Sequence, residues 1–165
     1  MGRVDAKLAE LGLSLPEPIH VPPGVAIPFA WARVHGDRVY IAGHSPLAPD
    51  GTPAGPFGSV PSQVSVEQAR LAARATALSV FASLQRAIGD LDRITAWLTV
   101  AGMVNADPGF GHTTTVINGF SDLILAIFGR EIGAHARTAI GAASLPLNNT
   151  IVVSAEVAFG PPGQT

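Results

Sequence analysis

Hydrophobic residues recur at helical spacing in three stretches of the chain. The longest is residues 65–88, which opens with Ser65 as a candidate N-cap and carries an apolar stripe on one side. A second stretch covers about residues 112–128, and a short one covers residues 4–11. Each is followed by a glycine, the usual residue at a helix C-terminus, at Gly12, Gly89 and Gly129. The pattern predicts two long helices and one short N-terminal helix.

Short runs rich in β-branched and small apolar residues occupy the intervals between the helices. They predict five strands, at Phe29–Val34, Arg38–Ala42, Ile94–Met103, around Arg137, and at Thr150–Phe159. The order β-β-α-β-α-β-β predicts a single α+β domain over residues 1–165, with one mixed sheet and both long helices on one face. Residues 29–159 would form the core, and residues 1–28 the short helix and a proline-rich arm.

Composition bears on the sheet face that the helices leave uncovered. Only 13% of the residues are charged although 47% are hydrophobic, and the strand around Arg137 is mostly alanine, isoleucine and glycine. Such a strand suits a partner subunit better than water, so we expect a homo-oligomer. The alternative is that a high alanine content inflates the hydrophobic share.

The sequence lacks the residues that several classes of chemistry require. The chain has no cysteine, its five histidines show no metal-binding spacing, and it has no phosphate-binding loop or serine-hydrolase motif. We therefore expect no metal and no cofactor. With 10 basic against 12 acidic residues we expect no nucleic-acid partner. No apolar stretch has the length of a signal peptide core or a membrane span, so we expect a cytoplasmic protein.

Arg137 is the strongest candidate for a binding residue. It stands in an apolar, small-residue strand that Leu145-Pro146 closes. A guanidinium offers a flat, two-pronged donor that matches a carboxylate. From this pattern alone, a carboxylate ligand and a salt bridge to an acidic residue of another element or subunit are equally good interpretations.

His44 and Asn118 are weaker candidates. His44 follows a strand and a glycine, where functional loops often begin, but an exposed loop histidine is the favoured interpretation. Asn118 interrupts the apolar side of the second long helix. A satisfied polar residue on the helix flank is the more frequent reason for such an asparagine.

Three motifs together resemble the signature of the RidA/YjgF family, the imine and enamine deaminases also known as endoribonuclease L-PSP. The motifs are residues 135–140 with Leu145-Pro146, residues 39–46 (VYIAGHSP) and residues 87–94 (AIGDLDRI). The resemblance covers residues 25–159 and is strongest to a branch with an additional N-terminal helix. The three motifs together are specific to this family, whereas each motif alone is weak evidence for it.

This resemblance implies a chorismate-mutase-like fold and a homotrimer whose sheets form a central barrel with three clefts between subunits. Arg137 would be the catalytic residue that holds the carboxylate of the substrate. Backbone groups near Gly43 and Ala42 would contact the ligand, and Asn118 would shape the cleft. Phe29 and His44 would be further substrate-binding residues.

Two positions depart from the family pattern. A family tyrosine falls on Phe29, which keeps the ring but lacks the hydroxyl. The glutamate that would activate water falls on Val152, and Glu156 lies about 13 Å farther along the strand. General-base assistance contributes about 10²–10⁴-fold. The resemblance therefore implies either slow hydrolysis of 2-imino and enamine acids to 2-keto acids and ammonia, or a trimer that only binds small carboxylate metabolites.

Overall fold

Three α-helices and five strands account for most of residues 1–161, which the computed structural model describes. The helices are α1 (Arg3–Glu10), α2 (Val66–Ile88) and α3 (Thr113–Gly133). The strands are β1 (Ala32–His35), β2 (Arg38–His44), β3 (Ile94–Asn105), β4 (Ala136–Ala142) and β5 (Ile151–Phe159). Residues 162–165 of the expected domain lie outside the described part.

The strands form a single mixed sheet in the order β1-β2-β5-β3-β4. Only the pairing of β3 with β4 is parallel. Helices α2 and α3 pack against each other and against the sheet, and their inner faces enclose a core of aromatic and branched side chains. Among the fully buried residues are Phe81, Trp97 and Phe120. The α+β fold with two long helices on one face and a short N-terminal helix is confirmed.

Local sequence signals explain the position of α2. The Ser65 side chain accepts from the backbone of Gln68 while the Gln68 side chain accepts from the backbone of Ser65, which forms a capping box. Gly89 ends the helix with a φ of 83°. Midway along α3, a Cβ on Gly119 would lie 2.1 Å from the carbonyl oxygen of Arg70, so a glycine is needed where the two helices meet.

Several boundaries differ from the sequence-based prediction. The first strand begins at Ala32 instead of Phe29, the second continues to His44, and the third continues to Asn105. Helix α3 loses helical geometry at Gly129, as predicted, but resumes for one more turn to Gly133. These differences lie where glycine, proline or a bulge interrupts the regular backbone.

The sheet face opposite the helices is left open. Along β5, Ile151, Val153, Ala155 and Val157 are buried under the helices, and the residues between them are only partly covered. Tyr40 on β2 and Ile140 on β4 are 44% and 51% exposed on this open face. None of the helices within residues 1–161 combines the length and hydrophobicity needed to cross a bilayer.

Candidate functional site

Arg137 reaches from β4 toward α3, where neutral oxygen atoms hold its guanidinium. Its Nη1 donates to Asn118 Oδ1 at 2.9 Å and to Ser121 Oγ at 3.0 Å, and its Nη2 makes a longer contact of 3.4 Å with the Thr114 carbonyl. Within residues 1–161 no carboxylate forms a salt bridge with Arg137. The salt-bridge interpretation is therefore not supported within the chain.

A hydrogen-bonded chain behind Arg137 fixes these contacts. His135 Nδ1 donates to the Gly133 carbonyl at 2.7 Å, so the neutral ring presents Nε2 as an acceptor to Ser121 Oγ at 2.8 Å. Ser121 can then donate to His135 while it accepts from Arg137. Sequence analysis missed both residues as parts of the site. The available signal was the spacing of Asn118 and Ser121, which lie three residues apart on one helix face.

The electrostatics of this group favour an anion. Burial lowers the pKa of Arg137 from its ordinary value, and the negative charge of Asp122 partly opposes this. The Asp122 carboxylate is engaged by Arg70 at 3.0 Å. A guanidinium stays protonated in proteins, so Arg137 keeps a positive charge that has lost part of its hydration. It lines a pocket of about 260 Å³ together with Ser121, Leu125, Arg130, Ala134 and His135.

A second, larger cavity lies beside the proline-rich arm. We call it the arm cavity, and its lining comes from the arm and from three other parts of the chain: Ile19, His20, Val21, Pro22, Val25, Ala26, Ile27, Phe29, Trp31, Gly43, Ser45, Pro46, Leu47, Pro53, Pro146, Leu147, Asn149 and Val152. Its volume is about 440 Å³. Three positions singled out from the sequence, Phe29, Gly43 and Val152, line this cavity.

Gly43 and Val152 touch within the arm cavity. A Cβ on Gly43 would lie 2.7 Å from Val152 Cγ1, so the glycine permits this close approach. Glu156 does not supply the missing carboxylate, because its Oε1 accepts from Arg38 Nη1 at 2.7 Å on the open face. No aspartate or glutamate of residues 1–161 lines the cavity.

The favoured interpretation of His44 as an exposed loop residue is wrong. His44 belongs to β2 and is only 1% exposed. Its Nδ1 donates to the Ala42 carbonyl at 2.7 Å, and its Nε2 lies 2.8 Å from Ser83 Oγ on α2. His44 therefore lies beneath the Gly43 segment, and the structure places neither His44 nor Ala42 among the residues that line the arm cavity.

The candidate residues thus form two separate groups. Arg137 and Asn118 lie on the helix side of β4, and Gly43 and Val152 lie at the open face of β2 and β5. Strands β2 and β4 are three positions apart in the sheet, which corresponds to about 14 Å. One chain therefore does not bring both groups to a single small ligand. Within the described residues no group of three or more His, Asp or Glu side chains is arranged to hold a metal ion.

Comparison with known families settles the relationship that the motifs indicate. Residues 6–157 match the family described as "YjgF/chorismate_mutase-like, putative endoribonuclease". The chain belongs to this YjgF family. Its β-β-α-β-α-β-β order and single mixed sheet agree with that membership.

Three relatives of this YjgF-family chain cover nearly its full length. Protein TCP17 of Trypanosoma cruzi is 36% identical over 156 residues, which is 94% of both chains. The crystal structure of Atu1372 from Agrobacterium tumefaciens, a protein of unknown function, is 33% identical with a TM-score of 0.83 and covers 94% of this chain and 91% of its own. A "putative endoribonuclease" from Shewanella oneidensis is 27% identical, has the same TM-score of 0.83, and covers 94% of this chain and 99% of its own.

Proposed function

We propose that the protein hydrolyses 2-imino or enamine acids to 2-keto acids and ammonia, with the substrate carboxylate bound by Arg137. Water adds to the C=N bond, the C–N bond then breaks, and the nitrogen leaves as ammonia. The observation that carries the proposal is the Arg137 guanidinium, which is charged, partly desolvated and held, within residues 1–161, by neutral oxygens alone. Such a group retains N–H donors for a carboxylate.

Family membership supports the proposal, because the two groups of candidate residues have counterparts in the RidA pattern. In that pattern a cleft between subunits joins the arginine of one chain to the loop glycine of the next. We propose the same homotrimer for this protein. The separation of Arg137 from Gly43 and Val152 within one chain is what such a cleft requires. A cytoplasmic location belongs to the same proposal.

The decisive experiment measures the release of 2-ketobutyrate from 2-iminobutyrate that an amino-acid oxidase generates in the assay. We expect a rate above background for the wild type and a loss of tenfold or more for Arg137→Ala. Arg74→Ala removes a half-buried arginine of α2 that makes no side-chain hydrogen bond in residues 1–161 and serves as the matched control. A wild-type rate at background, together with equal behaviour of Arg137→Ala, would refute the proposal.

A second function is favoured by Val152. With an apolar side chain packed against Gly43 and no carboxylate in the arm cavity, the protein has the features of a trimer that binds small carboxylate metabolites without turnover. Stabilisation by 2-keto acids, dependent on Arg137 and without any imine hydrolysis, would identify this function. Nuclease activity is less well supported, because acidic residues outnumber basic ones, 12 to 10.

A further inference from the structure

The arm cavity has the size and surface of a site for an apolar group. Its volume of about 440 Å³ lies within the range of small-molecule sites. The arm contributes Ile19, Val21, Val25 and Ile27, and Leu47 and Leu147 lie among the other lining residues. Of the described lining residues only His20 is titratable, and no arginine, lysine, aspartate or glutamate lines the cavity. A carboxylate would find no guanidinium or ammonium partner here, whereas an apolar group would be removed from water.

The arm is anchored at both ends, near its start by two backbone hydrogen bonds to the 48–52 loop and at its end by the Trp31 carbonyl, which accepts from the Ala42 amide at 3.0 Å. The Glu17 amide donates to the Pro49 carbonyl at 2.9 Å, and the His20 amide donates to the Gly51 carbonyl at 2.9 Å. A Cβ on Gly51 would lie only 2.1 Å from the Pro18 carbonyl oxygen, which shows how closely the arm and the 48–52 loop approach. A preformed apolar wall favours binding because little chain entropy is lost.

The opposite rim carries a strained segment and an unpaired acceptor. Leu147 has a positive φ of 56° and remains 51% exposed at the rim. Backbone strain of this kind in a branched residue is frequent at ligand sites. Asn149 is 6% exposed, and its Nδ2 donates to the Pro146 carbonyl at 2.8 Å, whereas its Oδ1 has no partner in residues 1–161. A buried acceptor is normally paired, so the unpaired Oδ1 beneath this rim is unusual, and it is shielded from solvent.

We propose that the arm cavity receives the side chain of the substrate and that the enzyme prefers 2-imino acids with a large branched or aromatic group. The identity of the ligand as an imino acid rests on the proposed function. The cavity supplies the preference, because it adjoins Gly43 and Val152, where the reacting carbon would lie. A small side chain would leave most of the cavity unfilled and would bind more weakly.

Binding of stable product analogues tests this preference. Titration calorimetry would compare phenylpyruvate, which has both groups, with pyruvate, which lacks the ring, and with phenylacetone, which lacks the carboxylate. We expect phenylpyruvate to bind at least tenfold more tightly than pyruvate. Val25→Asn should reduce this ratio severalfold with the pyruvate affinity unchanged. Val34→Asn is the matched control, because Val25 and Val34 are 42% and 43% exposed and only Val25 lines the cavity.

The three ligands separate failure of this inference from failure of the proposed function. Equal affinities for pyruvate and phenylpyruvate, both reduced by Arg137→Ala, would overturn the preference and leave the carboxylate site intact. Phenylacetone could instead bind as tightly as phenylpyruvate, with an affinity that Val25→Asn reduces and Arg137→Ala does not. That result would overturn the proposed function and support the apolar site. Absence of binding by both aromatic ligands would overturn the inference, as expected if a partner segment fills the cavity.

Discussion

Val152 is the residue that most limits the proposed chemistry. Its side chain lies against Gly43 in the arm cavity, and no acidic residue of the described chain lines the same space. Hydrolysis of an imine needs an activated water, and a carboxylate is the usual means of activating it at this place in the family pattern. The residue is therefore the best single position at which to add catalytic power.

Val152→Glu should raise the rate of imine hydrolysis. The missing Cβ of Gly43 leaves room for a side chain at this position, and a glutamate would place its carboxylate at the arm cavity that Val152 lines. We expect kcat/KM for 2-imino acids to increase by about 10²-fold, the lower end of general-base assistance. Val152→Gln is the control of equal size. An equal rate for the two variants would show that a carboxylate at this position does not activate water.

Arg137 illustrates what could be predicted about the site from the sequence. A cation in a strand of alanine and isoleucine stands out, because it is expensive to bury unless something binds it. Its neighbours were harder to find, because Ser121 lies 16 residues away and meets Arg137 only after α3 folds back on β4. Contacts of this kind depend on how two elements pack, and no local pattern encodes that.

At the scale of elements, a bulge in β2 explains why His44 is buried although the sequence predicts that the strand ends at Ala42. Ile41 pairs with Ala155 and His44 pairs with Val153, so three steps on β2 match two on β5. The extra residue turns His44 to the same side as Ile41, into the core beneath α2. A strict alternation of two predicts the opposite side. By contrast, α2 could be predicted well, because its N-cap serine, its apolar face and its C-terminal glycine are all local signals in the sequence.

The contact between β2 and α2 should make stability depend on pH. Burial lowers the pKa of His44 below its ordinary value of 6.5. The hydrogen bond to the Ala42 carbonyl opposes this decrease, and the positive charge of Arg86 adds to it. As the pH falls below about 6.5, the unfolded chain takes up a proton that the folded chain does not. Stability therefore decreases with falling pH, until the lowered pKa of the folded state is reached.

We expect His44 to contribute a slope of at most about 1.4 kcal/mol per pH unit to the free energy of unfolding below pH 6.5. Urea denaturation at pH 7.5, 6.5 and 5.5 would measure it. His44→Asn should flatten the slope, whatever its effect on stability at pH 7.5. His35→Asn, at an exposed position of β1, should leave the slope unchanged. Identical slopes for wild type and His44→Asn would contradict this account.

At the scale of the whole molecule, the open sheet face is the surface through which we propose that copies associate. Register across the sheet places Ile140, Met103 and Val152 side by side on β4, β3 and β5. This row is apolar, and the charged pair nearby, Arg38 with Glu156, is satisfied internally. Sequence composition indicated such a face. It could not show which residues form it, because that depends on the pairing of distant strands.

Ile140→Lys should therefore dissociate the proposed homotrimer. Ile140 is 51% exposed in the single chain, and in a barrel of three sheets its side chain would be removed from water. Burying an unpaired ammonium there costs on the order of several kcal/mol per subunit. Leu71→Lys is the matched control, because Leu71 is 57% exposed on α2, on the helical layer away from the open face.

Sedimentation velocity would give the mass of each variant against the 16.9 kDa of one chain, and circular dichroism would confirm that each is folded. We expect three chain masses for the wild type and Leu71→Lys, and one for Ile140→Lys. A folded Ile140→Lys trimer would mean that the copies associate through another surface. Because Arg137 and Gly43 meet only between chains in the proposed cleft, the folded monomer should also lose imine hydrolysis while its Arg137 contacts with α3 remain intact.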